Sequence, residues 1–159
     1  MLFGCATPLT IESDGNRLAA ILGIEHEDVR FISYCTFDEI RRWEKKTKPT
    51  EGIVALTRDD IRMLGGDLRT ASTKKEIRIP ISEIEGIDIR HFGRGRQLQL
   101  IVGEHLIVLE VTANKQLIDQ EGSQRLYDLI ISSGAPTWES EKYYLQEAPP
   151  IMFIPIILY

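Results

Sequence analysis

The chain has 159 residues, 43% hydrophobic and 27% charged, which is the composition of one globular domain with enough length for a real core and a small appendage. A formal net charge of −5 argues against general nucleic-acid binding, whose affinity rests on neutralising phosphates. The two cysteines, Cys5 and Cys35, sit in no metal-ligand spacing and make no disulfide framework, so neither a metal nor another cofactor is expected.

Leu2-Phe3-Gly4-Cys5 resembles the end of a bacterial lipoprotein signal, with a Leu three before and a Gly just before an acceptor cysteine. The resemblance implies lipid attachment at Cys5 and tethering in a bacterial envelope. The charged and apolar regions that such a signal also needs do not precede these residues in the sequence, and the other reading is an ordinary N-terminus. Ser13-Asp14 before Asn16 to Leu22, with Gly23 after it, predicts a short capped helix. Val29 to Cys35 has strand composition, with Cys35 as a small buried hydrophobe. Thr36-Phe37-Asp38-Glu39 fits a capping box and predicts a helix to about Lys46, with Phe37, Ile40 and Trp43 on its apolar side. The lysines at 45, 46 and 48 then read as a solvated helix end, favoured by the macrodipole. Residues 1–50 are expected to form an N-terminal α/β appendage of short helix, strand and short helix.

From Gly52 the pattern changes. Gly52 to Leu64 reads as a hairpin of two apolar strands around Arg58-Asp59-Asp60, and Gly65 to Thr73 reads as a polar loop. Ile77, Ile79 and Ile81 alternate with Glu76 and Arg78, and Ile87, Ile89 and His91 alternate with Asp88, Arg90 and Phe92. Gly93-Arg94-Gly95-Arg96 makes a tight turn, after which Leu98, Leu100 and Val102 face inward with Gln97 and Gln99 outside. Gly103-Glu104 turns again into the apolar run from Leu106 to Val111. The result is six strands, with an antiparallel meander buried on one side. Asn114 to Ser133 has helical spacing, with Leu117, Leu126, Leu129 and Ile130 on one face and Gly134 as the stop. Gly122 either bends this helix or delays its start to Ser123.

This order of elements over about residues 51–134, with Gly-Ile-Val-Ala-Leu-Thr turning into Ile-Arg-Met-Leu and then Ile-Arg-Ile-Pro-Ile-Ser-Glu-Ile-Glu-Gly-Ile, resembles the pleckstrin-homology-like superfold in its bacterial and GRAM-related forms. The resemblance implies a mainly β (α+β) fold: a bent antiparallel barrel of six to seven strands capped by a C-terminal helix. Val29 to Cys35 or the C-terminal tail is expected to supply the seventh strand. Residues 135–159 follow as an aromatic and apolar tail.

Members of that superfold mostly bind phosphoinositides, peptides or neighbouring domains, and few are enzymes. His26, His91 and His105 lie in separate elements, Asp59-Asp60 suits turn chemistry, and Gly93-Arg94-Gly95 is too short for a dinucleotide loop, so no catalytic residue is expected. The candidate ligand site is a basic stretch, Arg69, Lys74, Lys75, Arg78, Arg90, Arg94 and Arg96, seven basic residues against four acidic ones between Arg69 and Arg96. It suits an anionic membrane surface, and the other reading is solvated loop charge that keeps sheet edges from pairing. The superfold's phosphoinositide signature belongs in the first hairpin, and with Gly52 to Leu64 taken as that hairpin its turn, Arg58-Asp59-Asp60, would repel a phosphate. Ile151 to Tyr159 is too short to span a bilayer and is expected either to pack on its own domain, to add to a partner's sheet edge, to touch a membrane, or to join two copies as a homodimer. The expected function is a non-catalytic binding module for a protein segment or a membrane surface, cytoplasmic or membrane-peripheral. The alternative is a structural envelope lipoprotein that self-associates through the tail.

Overall fold

A strand occupies Phe31–Arg41 (β1), where the sequence predicts a strand followed by a helix from Thr36. The computed structural model describes residues 11–41, 47–67, 72–113, 117–140 and 142–145, so the rest of that predicted helix, 42–46, lies outside the described residues. Two things explain the outcome. Phe31, Ser33, Cys35 and Phe37 all bury on one side, so the period of two runs straight through the capping box. A cap is worth only about 1 kcal/mol, and β1 has a strand bonded on each side. Asp38 turns its carboxylate to other donors, the Lys48 amide at 2.8 Å and the Lys75 ammonium at 3.2 Å.

The other strands are β2 (Thr50–Leu56), β3 (Asp60–Asp67), β4 (Ser72–Pro80), β5 (Gly86–Phe92), β6 (Gly95–Val102) and β7 (His105–Thr112). They form one antiparallel sheet in the order β4-β3-β2-β1-β7-β6-β5. The segment assigned from sequence to an appendage therefore supplies the seventh strand, at the centre of the sheet. The limit expected at residue 50 runs between two paired strands, and among the described residues what precedes the sheet is one helix, α1 (Ile11–Ile21), and a 3-10 turn at His26–Asp28. Where β2 meets β3, Gly52 is obligatory, because a Cβ there would overlap the Leu64 carbonyl.

The sheet curls, as a surface apolar on one face must, and its inner face holds the main core. Phe37, Leu56, Met63, Ile87, Leu100 and Leu109 are fully buried there, each contributing roughly 1.5–3 kcal/mol. The second helix, α2 (Gln120–Ser132), closes this core with Leu126 and Ile130 and packs on β5, β6 and β7. It starts at neither of the positions expected from Gly122. Asp119 is the cap, accepting from the Gly122 amide at 2.8 Å, and Leu117 stands outside the helix, exposed. Gly134, at φ 102°, ends it.

Gln97 and Gln99, expected in solvent, are on the outer face but buried. The chain after α2 covers them. Pro136 and Trp138 bond to Ile87 on the free edge of β5, the Ile87 amide donating to the Pro136 carbonyl and the Trp138 amide to the Ile87 carbonyl, both at 2.9 Å. The chain then crosses the outer face, where Ile40, Ile101, Leu106 and Val108 form a second small core with Trp138 and Tyr144. The sheet thus buries both faces along β1, β7, β6 and β5.

Candidate functional site

That crossing segment and the β5–β6 turn leave a groove of about 650 Å³ between them. Its floor is the outer face: Thr36 and Asp38 from β1, Val108 and Glu110 from β7, Gln97 from β6. Its sides are lined by Phe92 and Arg94 of the turn and by Tyr143, Tyr144 and Leu145. Phe92, Ile118 and Leu145 are exposed by 61%, 40% and 54%, and all three line the groove. They are three of the five large apolar side chains exposed among the described residues, so the site gathers surface that a free domain leaves wet.

The walls are built, not incidental. Gly93 takes φ 57° to make the turn, and Gly95 lets Tyr143 lie against the strand, since a Cβ there would overlap its hydroxyl. The Phe92 and Tyr143 rings sit 5.5 Å apart. The Tyr143 hydroxyl donates to the Glu110 carboxylate on the floor. Burial pushes the Glu110 carboxyl up, with the Tyr143 hydrogen bond opposing, and burial together with Glu110 holds the Tyr143 phenol well above its ordinary range. Leu145 is fastened from the far side, its carbonyl accepting from the Thr47 amide at 3.2 Å. The groove can therefore take an apolar side chain or two against aromatic walls, beside hydrogen-bonding groups on a fixed floor.

The basic residues singled out from sequence are spread over the fold. Lys75 and Arg78 are on β4 and Arg90 on β5, the two ends of the strand order. Lys75 pairs with Asp38, Arg78 with Asp60, and Arg90 with Asp88 at 3.1 Å. Arg96 is hydrogen-bonded to His91. Arg94, at the turn, is the one among the five described that lines the groove. Arg69, the side chain of Lys74, Cys5 and residues 151–159 lie outside what is described.

A second, polar depression surrounds the β2–β3 turn. Asp60 is its buried anchor, taking hydrogen bonds from the Thr57 hydroxyl at 2.7 Å and from Arg62 and Arg78. Burial pushes its carboxyl up, but those three donors and the Arg62 charge together hold it below the ordinary aspartate range. Asp88 behaves alike: burial opposes, and Ser140, the Ile89 amide and Arg90 prevail. Asp88 and Arg90 both bond to Ser140, so they pin the crossing segment to β5. Among the described residues no three His, Cys, Asp or Glu side chains converge as metal ligands. The Cys35 thiol is buried and pushed far above its ordinary range by desolvation, which suits packing and not nucleophilic chemistry.

Because β1 is the first strand among the described residues, the first described hairpin is β1–β2, and its connection carries Arg42-Trp43-Glu44-Lys45-Lys46-Thr47-Lys48-Pro49. Arg58-Asp59-Asp60 is the turn of the second hairpin. Sequence reasoning missed this because the capping box hid the central strand. It missed the groove because the alternation puts Gln97 and Gln99 outside without saying what covers them.

No protein-family model matches the sequence, and no curated protein does. Among solved structures, the hSac2 domain from the human phosphoinositide phosphatase Sac2 is similar, with a TM-score of 0.51 over 90% of this chain and 97% of that one. The fold is pleckstrin-homology-like. At 12% identity the likeness extends to the fold alone. Within that pleckstrin-homology-like fold, the outer-face groove owes its form to this chain's own residues, Gly95, Tyr143 and the segment after α2.

Proposed function

We propose that the protein is a non-catalytic binding module that holds an apolar protein segment in the outer-face groove. The observation that carries this reading is the convergence of exposed Phe92, Ile118 and Leu145 on one groove whose floor carries the Glu110 carboxylate. The test is to select linear peptides on the full chain from a random library and measure their affinity by fluorescence anisotropy. Phe92→Asp should weaken them by about tenfold or more, as loss of a central aromatic anchor does, while Arg78→Ala leaves them unchanged. Phe92 is mostly exposed, so its replacement tests binding and not folding. Equal affinity for wild type and Phe92→Asp would sink the reading.

A second reading rests on the first hairpin. Its connection holds four basic residues, one acidic residue and Trp43, which is suited to an anionic membrane surface, with each basic residue near that surface worth about 1 kcal/mol. Vesicles with and without anionic lipid separate the two sources of affinity. Binding that needs the anionic lipid and is lost in Lys45→Glu/Lys46→Glu, but kept in Arg94→Glu/Arg96→Glu, supports the first hairpin. The reverse pattern returns the weight to the β5–β6 turn.

A further inference from the structure

We infer that the groove's resident occupant is the chain's own C-terminal segment, residues 151–159, docked in cis, so that the binding site is self-covered and opens by competition. This rests on the reading of the groove as a segment-binding site. Three observations point to this occupant. The last described residues, Tyr143, Tyr144 and Leu145, are already the groove's wall, and the Leu145 side chain is 54% exposed, so the segment that follows starts at the groove's mouth. Five residues, Gln-Glu-Ala-Pro-Pro, join it to 151–159. Residue 151 therefore starts within about 20 Å of Leu145, in reach of the groove.

The second observation is composition. Ile-Met-Phe-Ile-Pro-Ile-Ile-Leu-Tyr has no charged side chain, and it matches the apolar rim of Phe92, Ile118 and Leu145. The third is that these three rim side chains stay 40% to 61% exposed, although Ile40, Ile101, Leu106 and Val108 on the same face are covered by Trp138 and Tyr144. A tether this short gives an effective concentration of order millimolar, so even a weak contact is occupied in cis, and an outside segment must displace it.

The position test uses the full chain with a photo-crosslinking amino acid at Ile154. Crosslinks from the monomer that map to peptides containing Phe92, Ile118 or Leu145 support the inference. Crosslinks between two copies, or to other parts of the same chain, overturn it. The competition test uses the full chain with Ile154→Asp/Ile156→Asp and a peptide selected on the groove. The variant should bind that peptide about tenfold more tightly than wild type, because the competing segment is expelled. Unchanged affinity overturns self-coverage. If Phe92→Asp abolishes peptide binding while the Ile154 crosslinks map elsewhere, the groove stands as a binding site and only its resident occupant falls.

Discussion

Gln97 and Tyr144 hold each other by two opposed hydrogen bonds. The Gln97 amide donates to the Tyr144 carbonyl at 2.9 Å, and the Tyr144 amide donates to the Gln97 carbonyl oxygen at 2.9 Å. Gln99 extends the arrangement, donating to Gln97 at 2.9 Å and to the Lys142 carbonyl at 2.8 Å. A side-chain amide here does the work of a neighbouring strand's backbone, and it fixes one wall of the groove. Gln97→Ala should leave the Tyr144 groups unpaired and cost about 1–3 kcal/mol in urea unfolding. Amide exchange at Tyr144 should quicken at the same time. Unchanged exchange at Tyr144 would show that the segment is held by its aromatics alone.

Gly95 and Gly93 should separate fit from backbone strain. A Cβ at Gly95 meets Tyr143, whereas at Gly93 it meets nothing within 4 Å and the cost is the left-handed φ of 57°. Gly95→Ala should lower stability by about 1–3 kcal/mol, as overpacking does, and displace the Tyr143 ring. Gly93→Ala should cost about 1 kcal/mol from strain, with the ring in place. Tyrosine fluorescence and ring-proton shifts distinguish the two. Identical spectra for both variants would contradict the contact.

Asp60 should make the fold sensitive to acid. Its folded carboxyl loses its proton more readily than an unfolded one, because Thr57, Arg62 and Arg78 favour the charged form over the opposing effect of burial. Its contribution is therefore present above the unfolded value near 3.9 and drains as pH falls through the folded value. Asp60→Asn should cost about 2 kcal/mol at neutral pH, with the two arginines left against a neutral amide. Thermal unfolding followed down to about pH 2 should bring wild type and variant together. A constant gap across that range would mean that the carboxylate's charge is not what matters.

Glu110 should act with the opposite sign. Burial raises its folded pKa, with the Tyr143 hydroxyl opposing, so its contribution is full below the unfolded value near 4.3 and is lost as pH rises through the folded value. Glu110→Gln keeps an acceptor for Tyr143 and removes the charge. The variant's melting temperature should gain on wild type as pH is raised from about 4 to about 7. A melting-temperature difference that stays flat with pH would contradict a raised carboxyl.

Much of the fold is legible in the residues because alternation and turns act locally. Ile77, Ile79, Ile87, Leu98 and Leu100 face the core as their spacing implies, and the turns at Gly93 and Gly103 fall where glycine can take positive φ. Thr36 to Glu39 misleads because a capping motif is a local signal, and β1 is decided by partners that lie far along the chain, in β2 and β7. The basic stretch is likewise local in sequence and not in space. Sequence proximity gathers Lys75, Arg78, Arg90 and Arg96, while the fold gives each its own partner. The groove is carried by Gln97, Glu110 and Tyr143, and their meeting depends on where the chain goes after Gly134, which no spacing encodes.

The most direct measurement is the map of backbone amide shifts when a selected peptide is added to the isotope-labelled full chain. Binding in the outer-face groove predicts that the largest changes fall at Phe92 to Gln97, at Val108 and Glu110, and at Tyr143 to Leu145. Changes centred on Arg58, Asp60 and Arg78, with the groove amides unmoved, would contradict it.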